Sequence, residues 1–239
     1  MLPSESAFAL LPLSRWMELK AIRPPGGYRL LLLDPPWHSA SVARKGNYRT
    51  LDKCVLHRDL VPVLQALAHQ TRAVIAVWVT NSRHVQEFVE NALFPAVGAI
   101  PFGRWYWLKL DPNGSWTTGA QPFSAHRKPW EVLILGHTGT SPPPSLPTRL
   151  AIASTPSRWH SAKPPLDGLL QAAAHDLTRE APPGSPQAYG DEGGTSCAES
   201  LWSRLPKIEL FAREVRPSWH AVGDETLLFQ HTSLYERVH

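Results

Sequence analysis

Residues 30–37 of the chain read LLLLDPPW. The four leucines form a short apolar run, which is typical of a strand that is buried on both faces of a sheet. Pro35 and Pro36 must end this strand, because proline has no backbone N–H with which to continue a ladder. Asp34 and Trp37 are therefore expected at the carboxyl end of a strand, where open α/β sheets usually bind ligands. Taken alone, the stretch fits a reaction site and a Pro-Pro turn with an incidental acid equally well.

Predicted helices and strands alternate after this first strand. Residues 58–69 and 82–93 have helical spacing, and residues 73–79 form an apolar run that is typical of a strand. Longer strands are predicted at residues 98–110 and 130–135. The alternation predicts an α/β fold with a mostly parallel central sheet flanked by helices, in which the later strands could form an antiparallel edge.

Acidic residues are unevenly distributed along the chain. The protein has 239 residues, a length that suits a single domain over residues 1–239, and its formal net charge is +4. Residues 172–200 contain five acids and one arginine, a net charge of −4, which leaves +8 on the rest. This excess favours a polyanionic partner, although it also fits a soluble basic protein. The acidic and Pro/Gly/Ser-rich composition of residues 172–206 predicts a flexible insert within the domain.

Cysteine and histidine usage gives no sign of a metal site. The two cysteines, Cys54 and Cys197, are too few for a disulfide framework or a zinc site, and the eleven histidines form no ligand-spaced cluster. The apolar piece at residues 7–13 is short and interrupted by Pro12, so it is a poor secretory signal. No apolar run approaches the length that a membrane-spanning helix needs. We therefore expect a nuclear or cytosolic protein without a metal and without a membrane partner.

Five short segments occur in order along the chain: residues 34–37 (DPPW), 77–81 (VWVTN), 126–131 (HRKPWE), 160–165 (HSAKPP) and 207–213 (KIELFAR). In this order they resemble the N6-adenine methyltransferases, the family of the 70-kDa subunit of the messenger-RNA adenosine methyltransferase. The FQH ending at 229–231 looks most like the methyltransferase-like protein 4 branch. The resemblance implies an S-adenosylmethionine-dependent, Rossmann-like fold in a circularly permuted arrangement. In that arrangement the DPPW strand precedes the cofactor segment.

The resemblance also implies S-adenosylmethionine as the cofactor and assigns its site to five residues: Asp34, Lys163, Arg213, Asp224 and Glu225. Without it, Lys163 fits a solvated charge before a helix, and Arg213 fits a surface ion pair. Asp224 departs from the family pattern, which has Asn at the matching position. A carboxylate can accept hydrogen bonds from ribose hydroxyls, but it lacks the donor of an amide. We therefore expect this departure to affect cofactor affinity.

Methyl transfer to an adenine amine requires hydrogen-bond acceptors beside that amine. We predict that the Asp34 carboxylate and the Pro35 carbonyl accept hydrogen bonds from it, and that Pro36 helps to fix the rigid turn. Trp37 completes the catalytic set by stacking on the base. The adenine must be unpaired or flipped out of its helix to enter such a site.

Tyr48, Asn81 and Lys128 are further candidates for substrate binding. Tyr48 lies in a polar, basic stretch that is expected to form a mobile loop beside Asp34, although loop tyrosines often only pack. Asn81 fits a cap of the following helix better than a contact with the base. Lys128 lies beside Trp130 and fits a substrate or cofactor contact and simple solvation equally well.

Residue chemistry and resemblance together predict an adenine-N6 methyltransferase that acts on RNA or DNA. RNA such as small nuclear RNA is slightly favoured on the family branch alone. The alternative is a catalytically silent nucleic-acid-binding or scaffold homologue of the same fold. The intact DPPW motif argues for catalysis, whereas Asp224 and the insert keep the alternative open. The sequence leaves the need for a protein partner undecided.

Overall fold

One sheet of eight strands forms the centre of the protein. The structure, a computed structural model, describes residues 2–37, 52–118, 128–157, 162–178 and 195–230, and for 195–199 it describes the main chain alone. The strands are β1 Ala7–Leu10, β2 Leu30–Leu33, β3 Val74–Val79, β4 Ala99–Lys109, β5 Trp130–Thr138, β6 Arg149–Ser154, β7 Lys207–Leu210 and β8 His220–Gly223.

The strand order across the sheet is β1-β8-β7-β2-β3-β5-β4-β6. Strand β5 is antiparallel to both of its neighbours, and every other neighbouring pair is parallel. The predicted mostly parallel α/β fold is therefore confirmed. The later strands supply the two antiparallel pairs but not an antiparallel edge strand, because the hairpin of β4 and β5 pairs with β3 through its second strand. Strand β5 thus lies inside the sheet, and the edge strand β6 runs parallel to β4.

Helices flank the sheet on both faces. They are α1 Lys53–Leu67; α2, which runs from Arg83–Phe88 through a π turn at Val89–Leu93 to Phe94–Ala96; α3, formed by Asp167–Leu170, Gln171–Ala173 and Ala174–Thr178; and α4 Thr195–Arg204. Two 3₁₀ helices cover Leu13–Ile22 and Leu228–Gln230. Helix α1 begins earlier than its spacing predicted, because the Asp52 carboxylate accepts a hydrogen bond from the Cys54 N–H at 2.7 Å and caps it there.

Two apolar cores lie on opposite faces of the sheet. In the first core, Leu31 and Leu33 of β2 pack with α1, α2 and the first 3₁₀ helix. In the second core, on the other face, Leu30 and Leu32 pack with α3. All four side chains are at most 1% exposed. The prediction of a strand buried on both faces is therefore confirmed, and β2 is fixed in the centre of the molecule.

The segment that was predicted to be a flexible insert is ordered at both ends. Within residues 172–206, Ala173 and Leu177 of α3 are buried, and so is Leu205 just after α4. The predicted boundaries are therefore corrected, because apolar side chains at each end pack into the second core. Residues 179–194 lie outside the described part of the chain.

The carboxyl ends of β2 and β7 lie side by side at the point where the order of the strands reverses. From β2 the chain crosses to β3 on one side, and from β7 it crosses to β8 on the other. Such switch points leave a crevice outside the strand ends, and ligands bind there. Strand β7 lies late in the sequence but beside β2 in space, which agrees with the predicted permuted arrangement.

Gly136 of β5 lies against the first core, and a larger residue at this position would show how tightly that core is packed. A Cβ atom at this position would lie 2.8 Å from the ring of Phe94, whose side chain is fully buried. We expect Gly136→Ala to lower the free energy of unfolding by roughly 1–3 kcal/mol, because the ring has to shift within a packed core. The measurement is urea unfolding followed by circular dichroism.

Gly168→Ala is the matched control, because Gly168 is exposed and a Cβ there meets nothing within 4 Å. Its position at the start of α3 makes it neutral or stabilising by about 0.5–1 kcal/mol. Equal unfolding free energies for the two variants would contradict this description of the core.

Candidate active site

Asp34 and Lys163 form a buried ion pair at the carboxyl end of β2. The Lys163 Nζ lies 2.8 Å from Asp34 Oδ2 and 3.3 Å from Glu131 Oε2, and the Lys163 and Asp34 side chains are 10% and 17% exposed. Burial by itself lowers the pKa of Lys163, but the charges of Asp34 and Glu131 outweigh it, so the pKa lies above its ordinary value. The ammonium therefore stays protonated, and it holds the Asp34 carboxylate in place.

The ion pair continues to Lys109, which bonds the other carboxylate oxygen of Glu131. Burial by itself raises the pKa of Glu131, but Lys163 and Lys109 outweigh it and the pKa lies below its ordinary value. The two ammonium groups lie over indole rings, Lys109 at 4.5 Å from the Trp107 centroid and Lys163 at 5.8 Å from that of Trp78. Lys109, Glu131, Lys163 and Asp34 thus form one continuous row of ion pairs. The two ammonium groups in this row contact the indole rings of Trp107 and Trp78.

A cavity of about 250 Å³ opens beside Asp34 at the switch point. It is lined by four of the five predicted cofactor residues: Asp34, Arg213, Asp224 and Glu225. The fifth, Lys163, is not part of the lining and reaches the cavity only through its bond to Asp34. The rest of the wall comes from the N-terminal segment, the turn after β2, α1 and the residues after β7: Pro12, Leu13, Ser14, Trp16, Pro36, Val55, Asp59, Phe211 and Ala212.

Phe211 turns the chain sharply at the end of β7. Its φ is +61°, in the left-handed region that costs a residue with a Cβ about 1 kcal/mol or more. Its ring lies 4.6 Å from that of Trp16, centroid to centroid. The following residues approach Gly223 of β8 so closely that a Cβ there would lie 2.9 Å from the Ala212 carbonyl oxygen. This turn directs the chain into the cavity wall, where Arg213 follows.

Arg213 and Glu225 form an ion pair on this wall. The Arg213 Nε lies 3.0 Å from Glu225 Oε2, and the arginine side chain is 11% exposed while that of the glutamate is 45% exposed. The Arg213 carbonyl accepts a hydrogen bond from the Phe229 N–H at 2.9 Å. Asp224 is exposed and follows β8 directly. The predicted cofactor residues after β7 and β8 are therefore brought together by the structure.

Trp37 is almost completely buried, with 6% of its surface exposed. Its indole N–H donates to the Trp78 carbonyl at 2.7 Å, and its ring meets Phe88 edge to face at 6.2 Å. Its backbone N–H donates to the Pro35 carbonyl at 2.8 Å. A carbonyl oxygen has a second lone pair, so Pro35 retains capacity for another donor. In this arrangement Trp37 fixes the turn, and stacking of a base on its ring stays a prediction.

The other substrate candidates have different surroundings. The Asn81 amide donates to the Trp130 carbonyl at 2.6 Å, which ties the end of β3 to β5; this is not the helix cap that we expected. Helix α2 begins after Ser82, whose side chain makes no capping hydrogen bond. The Lys128 ammonium lies 5.8 Å from the Trp130 ring centroid. Tyr48 lies outside the described residues.

Glu131 and Lys109 are site residues that the sequence analysis missed. Each is a charged residue at or next to the end of a strand and lies beside a tryptophan-rich or apolar run, and this signal could have indicated a paired charge. The N-terminal wall residues carried no such signal, because Pro12, Leu13 and Trp16 resemble ordinary packing residues.

Carboxylates and ammonium groups dominate the chemistry of this site. Within the described ranges, no three His, Cys, Asp or Glu side chains are grouped in a way that could hold a metal ion. Among the helices of the same ranges, none is long and apolar enough to cross a bilayer. The site offers a fixed anion, Asp34, beside a cavity, and a rigid carbonyl next to it at Pro35.

Comparison with known proteins identifies the family. Residues 28–179, more than half of the chain, match MT-A70. The chain is 29% identical to the N(6)-adenine-specific methyltransferase METTL4 of Mus musculus, over 98% of this chain and 45% of that protein. It is 32% identical to the N6-methyladenosine RNA methyltransferase MTA1 of Cryphonectria parasitica, over 85% and 53%, and 31% identical to the DNA N6-methyl methyltransferase of Caenorhabditis elegans, over 88% and 48%. It thus spans about half the length of these curated relatives. The chain belongs to the MT-A70 family.

Proposed function

We propose that this protein transfers a methyl group from S-adenosylmethionine to the N6 amine of adenine in nucleic acid. The observation that carries the proposal is the position of the Asp34 carboxylate. It lies at the switch point of the sheet, lines the cavity, and is held by the buried Lys163. The names of the relatives, which specify adenine N6 methylation of RNA in one case and of DNA in another, support the same reaction.

The cavity residues fit the chemical groups of the proposed cofactor. S-adenosylmethionine supplies the methyl group on a sulfonium centre, and it carries an ammonium group, a carboxylate, ribose hydroxyls and a purine. The exposed Asp224 and Glu225 offer acceptors for hydroxyl and ammonium groups, and Arg213 offers donors. Phe211 and Trp16 supply apolar surface for a ring. The acceptors, donors and apolar rings of the cavity are therefore suited to a nucleoside that carries polar groups and a sulfonium cation.

The reacting amine is activated by two oxygen atoms of the DPPW turn. Its two N–H groups would donate to the Asp34 carboxylate and the Pro35 carbonyl, which would localise the nitrogen lone pair for attack on the methyl carbon. As the N–C bond forms the C–S bond would break, so that S-adenosylhomocysteine leaves and one proton of the amine passes to solvent. The Lys163 ammonium and the buried Trp37 ring keep these two acceptors in place. Positioning and electrostatics therefore account for the acceleration.

The substrate is a nucleic acid in which the adenine is unpaired or flipped out. An adenine inside a duplex cannot place its amine at the bottom of a crevice, so the base has to leave its stack. The +8 charge of the chain outside residues 172–200 attracts the phosphate backbone. We place the protein in the nucleus, or also the cytosol, where RNA and DNA substrates occur. RNA remains slightly favoured over DNA.

Replacing Asp34 by Asn tests the proposed chemistry. Asn keeps the shape of the side chain but removes the anion that accepts both from Lys163 and from the amine, so we expect the rate of methyl transfer to fall about a hundredfold or more. The assay uses labelled S-adenosylmethionine with matched single-stranded RNA and DNA oligomers, followed by nucleoside digestion to identify the product.

The control for this experiment is Glu87→Gln, which removes an exposed acid of α2 that pairs only with Arg83 and His84 among the described residues. It should keep the parental rate. Undiminished turnover in Asp34→Asn would contradict the mechanism. A parent that binds the oligomers without modifying them would instead support the silent homologue.

Asp224→Asn tests the departure from the family pattern. The amide restores a hydrogen-bond donor on the cavity wall, so we expect cofactor affinity to increase about threefold to tenfold, the effect of one net hydrogen bond. Isothermal titration calorimetry with S-adenosylhomocysteine measures it directly. Asp59→Asn, which neutralises another carboxylate of the same wall, is the charge control. An equal gain in both variants would show that charge, and not the amide donor, is responsible.

A further inference from the structure

Arg216 lies in a cluster of charges that is separate from the cavity lining and in which Arg216 and Glu209 are buried. Its Nε is 2.7 Å from Glu214 Oε1 and 3.6 Å from Glu209 Oε2, and its Nη1 is 3.9 Å from Asp167 Oδ2. The arginine and the Glu209 side chains are each 9% exposed. These acids belong to three different parts of the fold: β7, the loop that follows it, and the first turn of α3. One guanidinium group therefore connects all three.

Asp167 is held twice by the loop between β7 and β8. Besides its contact with Arg216, its Oδ1 accepts a hydrogen bond from the Trp219 indole N–H at 2.7 Å. Asp167 lies only four residues after Lys163 in the sequence, and Lys163 pairs with Asp34. Arg216 lies shortly after Arg213, which lines the cavity. The cluster thus joins the segment that holds the catalytic carboxylate to the segment that forms the cofactor wall.

We propose that Arg216 is a positioning residue which, through Asp167, couples the Lys163 segment to the Arg213 segment. The two segments come from separate parts of the sequence, and Arg216 and Trp219 both connect them by contacting Asp167. A guanidinium can serve several carboxylates at once because its donors lie in a rigid plane, and a lysine cannot reproduce this geometry. The effect on catalysis rests on the proposed function, but the coupling itself does not.

The composition of the cluster favours a role beyond stability. Three acids surround one arginine, and two buried atoms, Glu209 Oε2 and Arg216 Nη1, have no hydrogen-bond partner among the described residues. Buried ion pairs of this kind are often less stabilising than apolar side chains of similar volume. The geometry that the cluster imposes on Asp167 and on the loop after β7 therefore explains its charged composition better than a gain in stability does.

Glu209 makes the cluster sensitive to pH. Burial raises its pKa from 4.5 to about 7; Arg216 opposes this rise, while Glu214, Asp34 and Asp167 add to it. On its own strand the neighbouring charged group is Lys207, whose pKa burial lowers to about 8. Because the folded-state pKa of Glu209 exceeds the unfolded-state value, its contribution to stability is complete below about pH 4.5 and is lost as pH rises through about 7. The charged cluster is therefore complete only above about pH 7.

Two variants of the full chain test the coupling. Arg216→Gln removes the guanidinium, and the double variant Glu209→Gln with Arg216→Gln also removes a buried unpaired acid, so that it folds even if the single variant does not. Arg83→Gln, which removes an 88% exposed arginine from α2, is the control. Hydrogen exchange measured by mass spectrometry follows peptides that cover residues 162–170 and 211–219, and calorimetry measures binding of S-adenosylhomocysteine.

We expect amide exchange in both peptides to accelerate about tenfold in the Arg216 variants, with a similar loss of affinity, whereas Arg83→Gln leaves both unchanged. Because protonated Glu209 favours the folded state, the free energy of unfolding of the parent should fall as pH rises from about 5 to about 7, and Glu209→Gln should reduce this fall. Acceleration confined to 211–219, with unchanged affinity, would overturn the coupling. If the parent fails to bind S-adenosylhomocysteine, the proposed cofactor is wrong, and the exchange data still decide the coupling.

Discussion

The buried ion pair between Asp34 and Lys163 is the interaction on which the rest of the site depends. Removing a carboxylate and an ammonium from water is costly, and the pair is stable only because further charges complete it. Glu131 and Lys109 supply these charges. The indole rings of Trp78 and Trp107 make cation–π contacts with the ammonium groups of Lys163 and Lys109. Loss of either partner would leave an uncompensated charge in the protein interior. The Asp34 carboxylate is therefore held in a fixed position at the end of β2.

The order of strands in the sheet brings this ion pair to the cavity. Strand β2 carries Asp34, and β7 beside it leads to Arg213, although more than half of the chain separates the two residues. A sheet whose connections leave in opposite directions from two adjacent parallel strands always opens a crevice at their carboxyl ends. The late position of β7 in the sequence therefore does not keep its end from the site, since pairing in the sheet brings it beside β2.

Much of this arrangement could be predicted from local sequence, because strong signals were local. Four leucines before Asp34 and two prolines predicted the buried strand β2, whereas Lys163 and Arg213 were assigned to the site only by the resemblance to the family. The Glu131 and Lys109 contacts could not be predicted, since they depend on the register between β4 and β5. The order at both ends of the predicted insert was missed because the average composition of residues 172–206 is polar. This average hides the apolar side chains of the two helices, such as Leu177, which pack in the core.

The cavity also depends on a segment that has no sequence motif. Strand β1 pairs with β8 at the edge of the sheet, and the Leu11 N–H donates to the Gly223 carbonyl, so the chain beyond β1 lies over the end of β8. The Trp16 ring then packs on Phe211, whose left-handed φ stores strain at the cavity wall. This packing offsets the strain, and it exists only when the N-terminal segment is docked. The wall of the cavity is thus completed by β1 and β8, the first and last strands in the sequence, which are neighbours in the sheet.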